Sequence, residues 1–142
     1  MNVLRRIRQE DGQALVEFAM VLPILMAVLL GIVQFGIIFN NYETLTDASR
    51  VAARRAATSR FIGDNGASAR QAAKNAASNL NLTDAEIDIS SCAPGTYPCQ
   101  TQDWTKTGNE VTVKLTYPYS IKILDWAVKT GDLTVIQKER LE

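Results

Sequence analysis

The sequence predicts an α+β protein: a long N-terminal transmembrane helix that extends into a small extracytoplasmic domain with a second helix and a small, three-stranded antiparallel sheet. Three observations predict it. Residues 14–39 form an apolar run in which Glu17 and Gln34 are the only strongly polar side chains. Small residues then recur at Thr44, Ala48, Ala52 and Ala56. Three short segments with strand character follow, the clearest at 110–117.

A helix needs about 20 apolar residues to cross a bilayer core of roughly 30 Å, and the run beginning at Ala14 provides them. Arg5, Arg6 and Arg8 precede it, which keeps the N-terminus in the cytoplasm by the positive-inside tendency. A cleaved secretory signal is disfavoured, because its apolar stretch would be only about 7–15 residues long. A buried core helix is disfavoured too, since a chain of 142 residues cannot cover such a segment on all sides. Pro23 falls inside the run and predicts a kink. Ala27 and Gly31 form a small-xxx-small pair that admits a neighbouring helix. The stricter GxxxG pattern is absent, as Gly31 and Gly36 are five apart.

Beyond Phe39 the four-residue spacing of Ala48, Ala52 and Ala56 continues the helix with a narrow packing face. From Ala14 to Arg60 it would measure about 70 Å. Arg50, Arg54, Arg55 and Arg60 crowd its outer half, and a solvated face or local ion pairing accounts for them. Residues 63–66 read as a loop. Ala69, Ala72, Ala73, Ala76, Ala77 and Leu80 keep helical spacing and predict a second helix with an alanine-rich stripe. Strands are expected at 86–90, at 110–117 with Val111, Val113, Leu115 and Tyr117 on one face, and at 133–137. A short helix carrying Trp126 is expected at 121–128.

Formal net charge is zero, so nothing points to nucleic acid. There is no histidine, which removes Ser-His-Asp and Cys-His triads and His-ligated zinc sites. No nucleophile–base constellation is visible, so neither an enzyme nor a small-molecule substrate nor a cofactor is expected. Cys92 and Cys99 bracket a turn-rich loop. An even pair in an extracytoplasmic segment predicts a disulfide, worth about 2–3 kcal/mol by loop entropy. Asp84, Glu86 and Asp88 would share one face of a strand. They fail the EF-hand pattern, and a solvent-facing side is expected rather than a metal site. Asn81, Leu82 and Thr83 match the glycosylation triplet, a short pattern that arises often by chance.

The junction Gly12, Gln13, Ala14, Leu15, Val16, Glu17, Phe18 resembles the site cut by prepilin peptidases. Such a site has a glycine before the cut, a glutamate five residues past it and then Phe or Tyr. The stretches GQALVEFAMVLP at 12–23, LLGIVQFG at 29–36 and LTDASRVAARRAA at 45–57 are similar to the TadE-like family, pilin-like proteins of the tight-adherence (Flp) pilus machinery. The likeness covers roughly the first 60 residues. It implies a processing site at Gly12 and Gln13, with Glu17 and Phe18 as the pilin-type motif. It also implies a prepilin peptidase and other pilin-like subunits as partners besides the lipid bilayer, in a hetero-oligomer. Glu17 would then pair with a neighbour's N-terminal amine, offsetting the ~2.5 kcal/mol or more that a carboxylate costs at mid-bilayer. The expected organisation is a leader at 1–12, a transmembrane helix at 13–40, its extracytoplasmic extension at 41–62 and an α+β domain at 63–142. The expected location is the bacterial cytoplasmic membrane, with a place in a surface pilus open. The competing reading is a single-pass, membrane-anchored binding module unrelated to pili, which would not be cleaved at Gly12.

Overall fold

A computed structural model describes residues 3–58, 63–99, 102–123 and 126–141. Helix α1 runs Val3–Ala57 without interruption, and Pro23 lies inside it. Helix α2 runs Ala67–Ala76. After a single 3-10 turn at Asp84–Glu86 come the strands β1 (Ile87–Cys92), β2 (Glu110–Ile123) and β3 (Trp126–Arg140). They form one antiparallel sheet in the order β1-β2-β3. The α+β class, the long apolar helix, the second helix and the three-stranded sheet are therefore as expected.

At about 1.5 Å per residue, the 55 residues of α1 extend some 80 Å. Its two halves have opposite environments. From Leu15 to Phe39 the large apolar side chains are exposed, Ile38 alone excepted. From Leu45 onward one stripe is sealed: Leu45, Ala48, Ser49, Ala52, Ala53 and Ala56 have no accessible surface. The small-residue face thus packs as the spacing predicts, with Leu45 as its one bulky member. On α2 the stripe is Ala69, Ala73 and Ala77, continued by Leu80. Ala72 is half-buried and Ala76 faces solvent, so the inner face is narrower than the alanine spacing suggests. Methyl groups on both helices permit close approach. The volume of the core comes from the sheet.

Alternation along β2 supplies it. Val111, Val113 and Leu115 are fully buried on the helix-facing side, with Tyr117 packed at the margin. Ile87 and Ile89 of β1 and Val135 of β3 complete that layer. Their register places Ile87 and Val135 on either side of Leu115. Two further side chains close it. Leu141 is buried because its N–H donates to the Asn109 carbonyl (2.7 Å) and its own carbonyl accepts from Gly108 N–H (3.0 Å). Trp104 is held over the end of the core, on the loop whose Asp103 N–H donates to the Ser91 carbonyl.

Two expectations are corrected. Residues 121–123 and 126–128 are strand, not helix: β2 and β3 pair down to Ile123 opposite Trp126, with a register shift at Ile121/Lys122. Leu124 and Asp125 lie outside the described residues, as does Arg60. The apolar positions in this run suit either period, and pairing with a neighbouring strand satisfies the whole backbone ladder. The second correction concerns Asp84, Glu86 and Asp88, which do not share a strand face. Asp84 and Glu86 belong to the 3-10 turn, where the Glu86 carboxylate accepts from the Thr83 N–H (2.7 Å) and hydroxyl (2.9 Å). Asp84 instead pairs with Lys74 (2.8 Å).

Asp64 organises the start of α2. Its carboxylate accepts from the Gly66 N–H (3.1 Å) and the Ser68 N–H (2.8 Å), satisfying donors left open at a helix N-terminus. The Ser68 side chain, these N–H groups and the Arg55 charge hold its pKa below the ordinary 3.8. A depressed carboxylate stabilises the fold above its unfolded pKa and loses that contribution as pH falls through the folded value. Domain stability is therefore expected to drop below about pH 4. An Asp64→Ala variant, which removes both acceptors, should be weaker by about 1 kcal/mol at pH 7 and show a flatter acid limb, read by thermal unfolding against pH.

Candidate functional site

The residues that the motif singles out lie on one continuous helix. Gly12 is in its interior, and a Cβ built there would meet nothing within 4 Å. Four residues separate Gln13 from Glu17, one helical turn, and the Gln13 side-chain amide donates to the Glu17 carboxylate at 3.1 Å. Phe18 follows with its ring exposed. Glu17 is the only acidic residue between Gly12 and Asn41, at the head of a stretch rich in exposed Leu, Val, Met, Ile and Phe.

Farther along, Pro23, Ala27 and Gly31 belong to the same unburied half of α1. Gly31 and Gln34 are half-buried, yet among the described residues nothing lies within 4 Å of a Cβ built at Gly31. The one helix long and apolar enough to cross a membrane, by length and composition among the described residues, is this one. Ala48, Ala52 and Ala56 play a different part: they are buried inside the domain and hold α1 against α2 and the sheet.

Cys92 and Cys99 stand at disulfide distance, with Cα atoms 6.0 Å apart. Cys92 ends β1 and Cys99 lies in the loop after it, both outside α1. The loop they close brings Tyr97 beside Asp88, on the sheet face turned away from the helices. Burial, and then the Asp88 carboxylate, raise the Tyr97 phenol above its ordinary 10.0. The structure thus brings together Gly12, Gln13, Glu17 and Phe18 on one turn-and-a-half of helix. It keeps the disulfide and the buried alanines apart from them.

Among the exposed cations of the outer half, Arg50 pairs with Asp47 at 3.6 Å within the helix, the local ion pairing expected there. Such an exposed pair contributes little. No group of three or more metal-ligating side chains occurs among the described residues. Sequence reasoning did not anticipate the Gln13–Glu17 hydrogen bond, although the four-residue spacing of an amide and a carboxylate on a helix was the signal for it.

Residues 12–54 match the family model described as TadE-like protein. That span takes in the glycine, the glutamate, the whole apolar run and the buried stripe as far as Ala53, and it stops before α2 and the sheet. No curated protein and no solved structure matches the chain.

Proposed function

From the premise that residues 12–54 form a TadE-like segment, we propose that this chain is a non-catalytic, pilin-like subunit of the tight-adherence (Flp) pilus machinery. The observation that carries the reading is the placement of a single carboxylate, Glu17, one turn beyond Gln13 at the head of an exposed apolar helix. Residues 1–12 are the leader, removed by a prepilin peptidase between Gly12 and Gln13. Residues 13–40 cross the cytoplasmic membrane with the N-terminus inside, in keeping with Arg5, Arg6 and Arg8. Residues 41–62 carry the helix outward, and 63–142 complete the extracytoplasmic domain. A cysteine pair at disulfide distance supports an oxidising compartment for that domain.

After cleavage the Gln13 amine would be the mature N-terminus. A carboxylate in lipid is stabilised by a positive partner, and the amine of a neighbouring pilin-like subunit supplies one. Pro23 and Ala27 are exposed and a Cβ at Gly31 would meet nothing within 4 Å, which gives that neighbour's helix a surface for close approach. The role is mechanical: to start or regulate the growth of a fibre by helix–helix contact.

Glu17→Ala is the corresponding test. The variant should still be processed and remain in the membrane. It should lose co-purification with pilin-like subunits from detergent-solubilised membranes, and surface fibres should become scarce by electron microscopy. Undiminished co-purification and fibre number would remove Glu17 from the assembly contact.

A further inference from the structure

The long hairpin of β2 and β3 outruns the rest of the domain, and its direction can be read from contacts at the other end. Arg70, in the first turn of α2, donates to the carbonyls of Asp84 and Ile87. One turn back, at the N-cap of α2, a Cβ at Gly66 would stand 3.5 Å from Ile89 and 2.8 Å from Trp104. Moving from Ile87 to Ile89 is therefore moving from Arg70 back to Gly66, against α2. The Arg55 charge near the end of α1 acts on Asp64 at the start of α2, and the alanine stripes of the two helices meet in one core, which makes them antiparallel neighbours. It follows that β1 runs with α1, away from the apolar half. The antiparallel β2 then runs back toward it.

The distance can be estimated. Leu115 pairs with Ile87, near the level of α2's first turn and hence of Ala56. From Leu115 to Ile123 the strand advances about 26 Å at ~3.3 Å per residue. The same length of α1 is about 17 residues, which reaches Phe39 if the two run parallel and stops a few residues short if they cross. Phe39 is the last residue of the apolar run. Burial along α1 reaches that level and one turn past it: Gln34, Ile38 and Asn41 are half-buried while Phe39 and Tyr42 beside them are exposed. One side of the helix is thus covered down to the place where it would leave the bilayer.

The composition of the hairpin end suits that level. Tyr119, Ile121, Ile123, Trp126 and Val128 fall within it, with Lys122 and Lys129 among them. Tyr119 lies across Gly131, where an added Cβ would come within 3.1 Å of its ring. The register sets Ile123 opposite Trp126 at the last described pair. Tyrosine, tryptophan and lysine with interspersed aliphatic residues are what the boundary between headgroups and acyl chains favours.

We propose that the end of the β2–β3 hairpin, residues 119–123 and 126–129, is a second membrane contact, seated in the outer-leaflet interface beside the exit of α1. This rests on the reading of α1 as a membrane span. Two attachments fix the tilt of the domain on the membrane, which one helix alone would leave free to rotate about its axis. They also set which face of the sheet a neighbouring subunit meets.

The test uses the full chain in phosphatidylcholine vesicles with and without lipids brominated near the carbonyl end of the acyl chain. Tryptophan emission of the wild type is compared with that of Trp126→Phe, in which only the distant Trp104 remains. A Phe39→Trp substitution in the Trp126→Phe background reports on α1. Quenching in the wild type that is lost in Trp126→Phe is the expected result. Quenching of the reporter indole on α1 with none from Trp126 would overturn the proposal while leaving the membrane helix in place. Quenching of neither would overturn both. Circular dichroism of each variant confirms that the domain is folded.

Discussion

Replacing Leu115 with alanine is expected to destabilise the extramembrane domain by about 2–5 kcal/mol, toward the upper end of that range. The residue has no accessible surface and sits at the middle of the central strand, between Ile87 and Val135. Cavity cost depends on how far the surroundings collapse into the space left. Here the facing helices offer Ala48, Ala52, Ala53, Ala69 and Ala73, whose methyl groups cannot swing across a gap. The backbones would have to move instead, and two helices locked by alanine contacts resist that. Denaturant unfolding of the full chain in detergent gives the number, with Leu133→Ala as a comparison. Leu133 is only half-buried at the core's margin, so its loss should cost less than half as much. A Leu115→Ala cost below that of Leu133→Ala would mean that the sheet is not what fills this core.

Gly66→Ala is expected to cost about 2–5 kcal/mol from two separable causes. Gly66 has a φ of 83°, where an L residue pays roughly 1–2 kcal/mol. Its missing Cβ would also lie 2.8 Å from Cη2 of Trp104. The indole cannot simply retreat: Ile89 lies against the same position, and the Trp104 N–H donates to the Gln102 side chain. Overpacking of this kind typically costs a further 1–3 kcal/mol. A double-mutant cycle with Trp104→Leu separates the two. In that background the steric part should disappear and the backbone part remain. An equal cost in both backgrounds would show that Trp104 is not the neighbour that matters.

Much of this was readable from the chain, for identifiable reasons. The long apolar helix is legible because 14–39 is long and almost without polar side chains, and length alone excludes a strand. The inner face of β2 is legible because Val111, Val113, Leu115 and Tyr117 keep a strict period of two. The candidate processing site is legible because Gly12, Glu17 and Phe18 keep a fixed spacing ahead of the apolar run. What was not legible depends on partners distant in sequence. Residues 121–128 carry apolar side chains at spacings that suit a helix, and only the pairing of Ile123 with Trp126 makes them strand. Trp104 reads as a loop tryptophan until the loop's hydrogen bonds to Ser91 bring it against Gly66. Leu141 reads as a tail residue until its backbone pairs with Asn109. Asp84 and Glu86 look like strand residues until Glu86 turns back to cap Thr83.

The same division applies to the site. A local motif carries Gly12, Gln13, Glu17 and Phe18, all within one short piece of helix. The proposed contact of the hairpin end with the membrane rests instead on the topology of the sheet and its length beyond the helices.

The central claim is that Gly12 marks a prepilin-type junction, and the intact mass of the protein tests it most directly. Mass spectrometry on the chain purified from cells with and without a prepilin peptidase should show loss of residues 1–12 only when the enzyme is present, and a substitution at Gly12 should abolish that loss. A full-length mass in both strains would contradict the account and leave a membrane-anchored domain outside the pilus pathway.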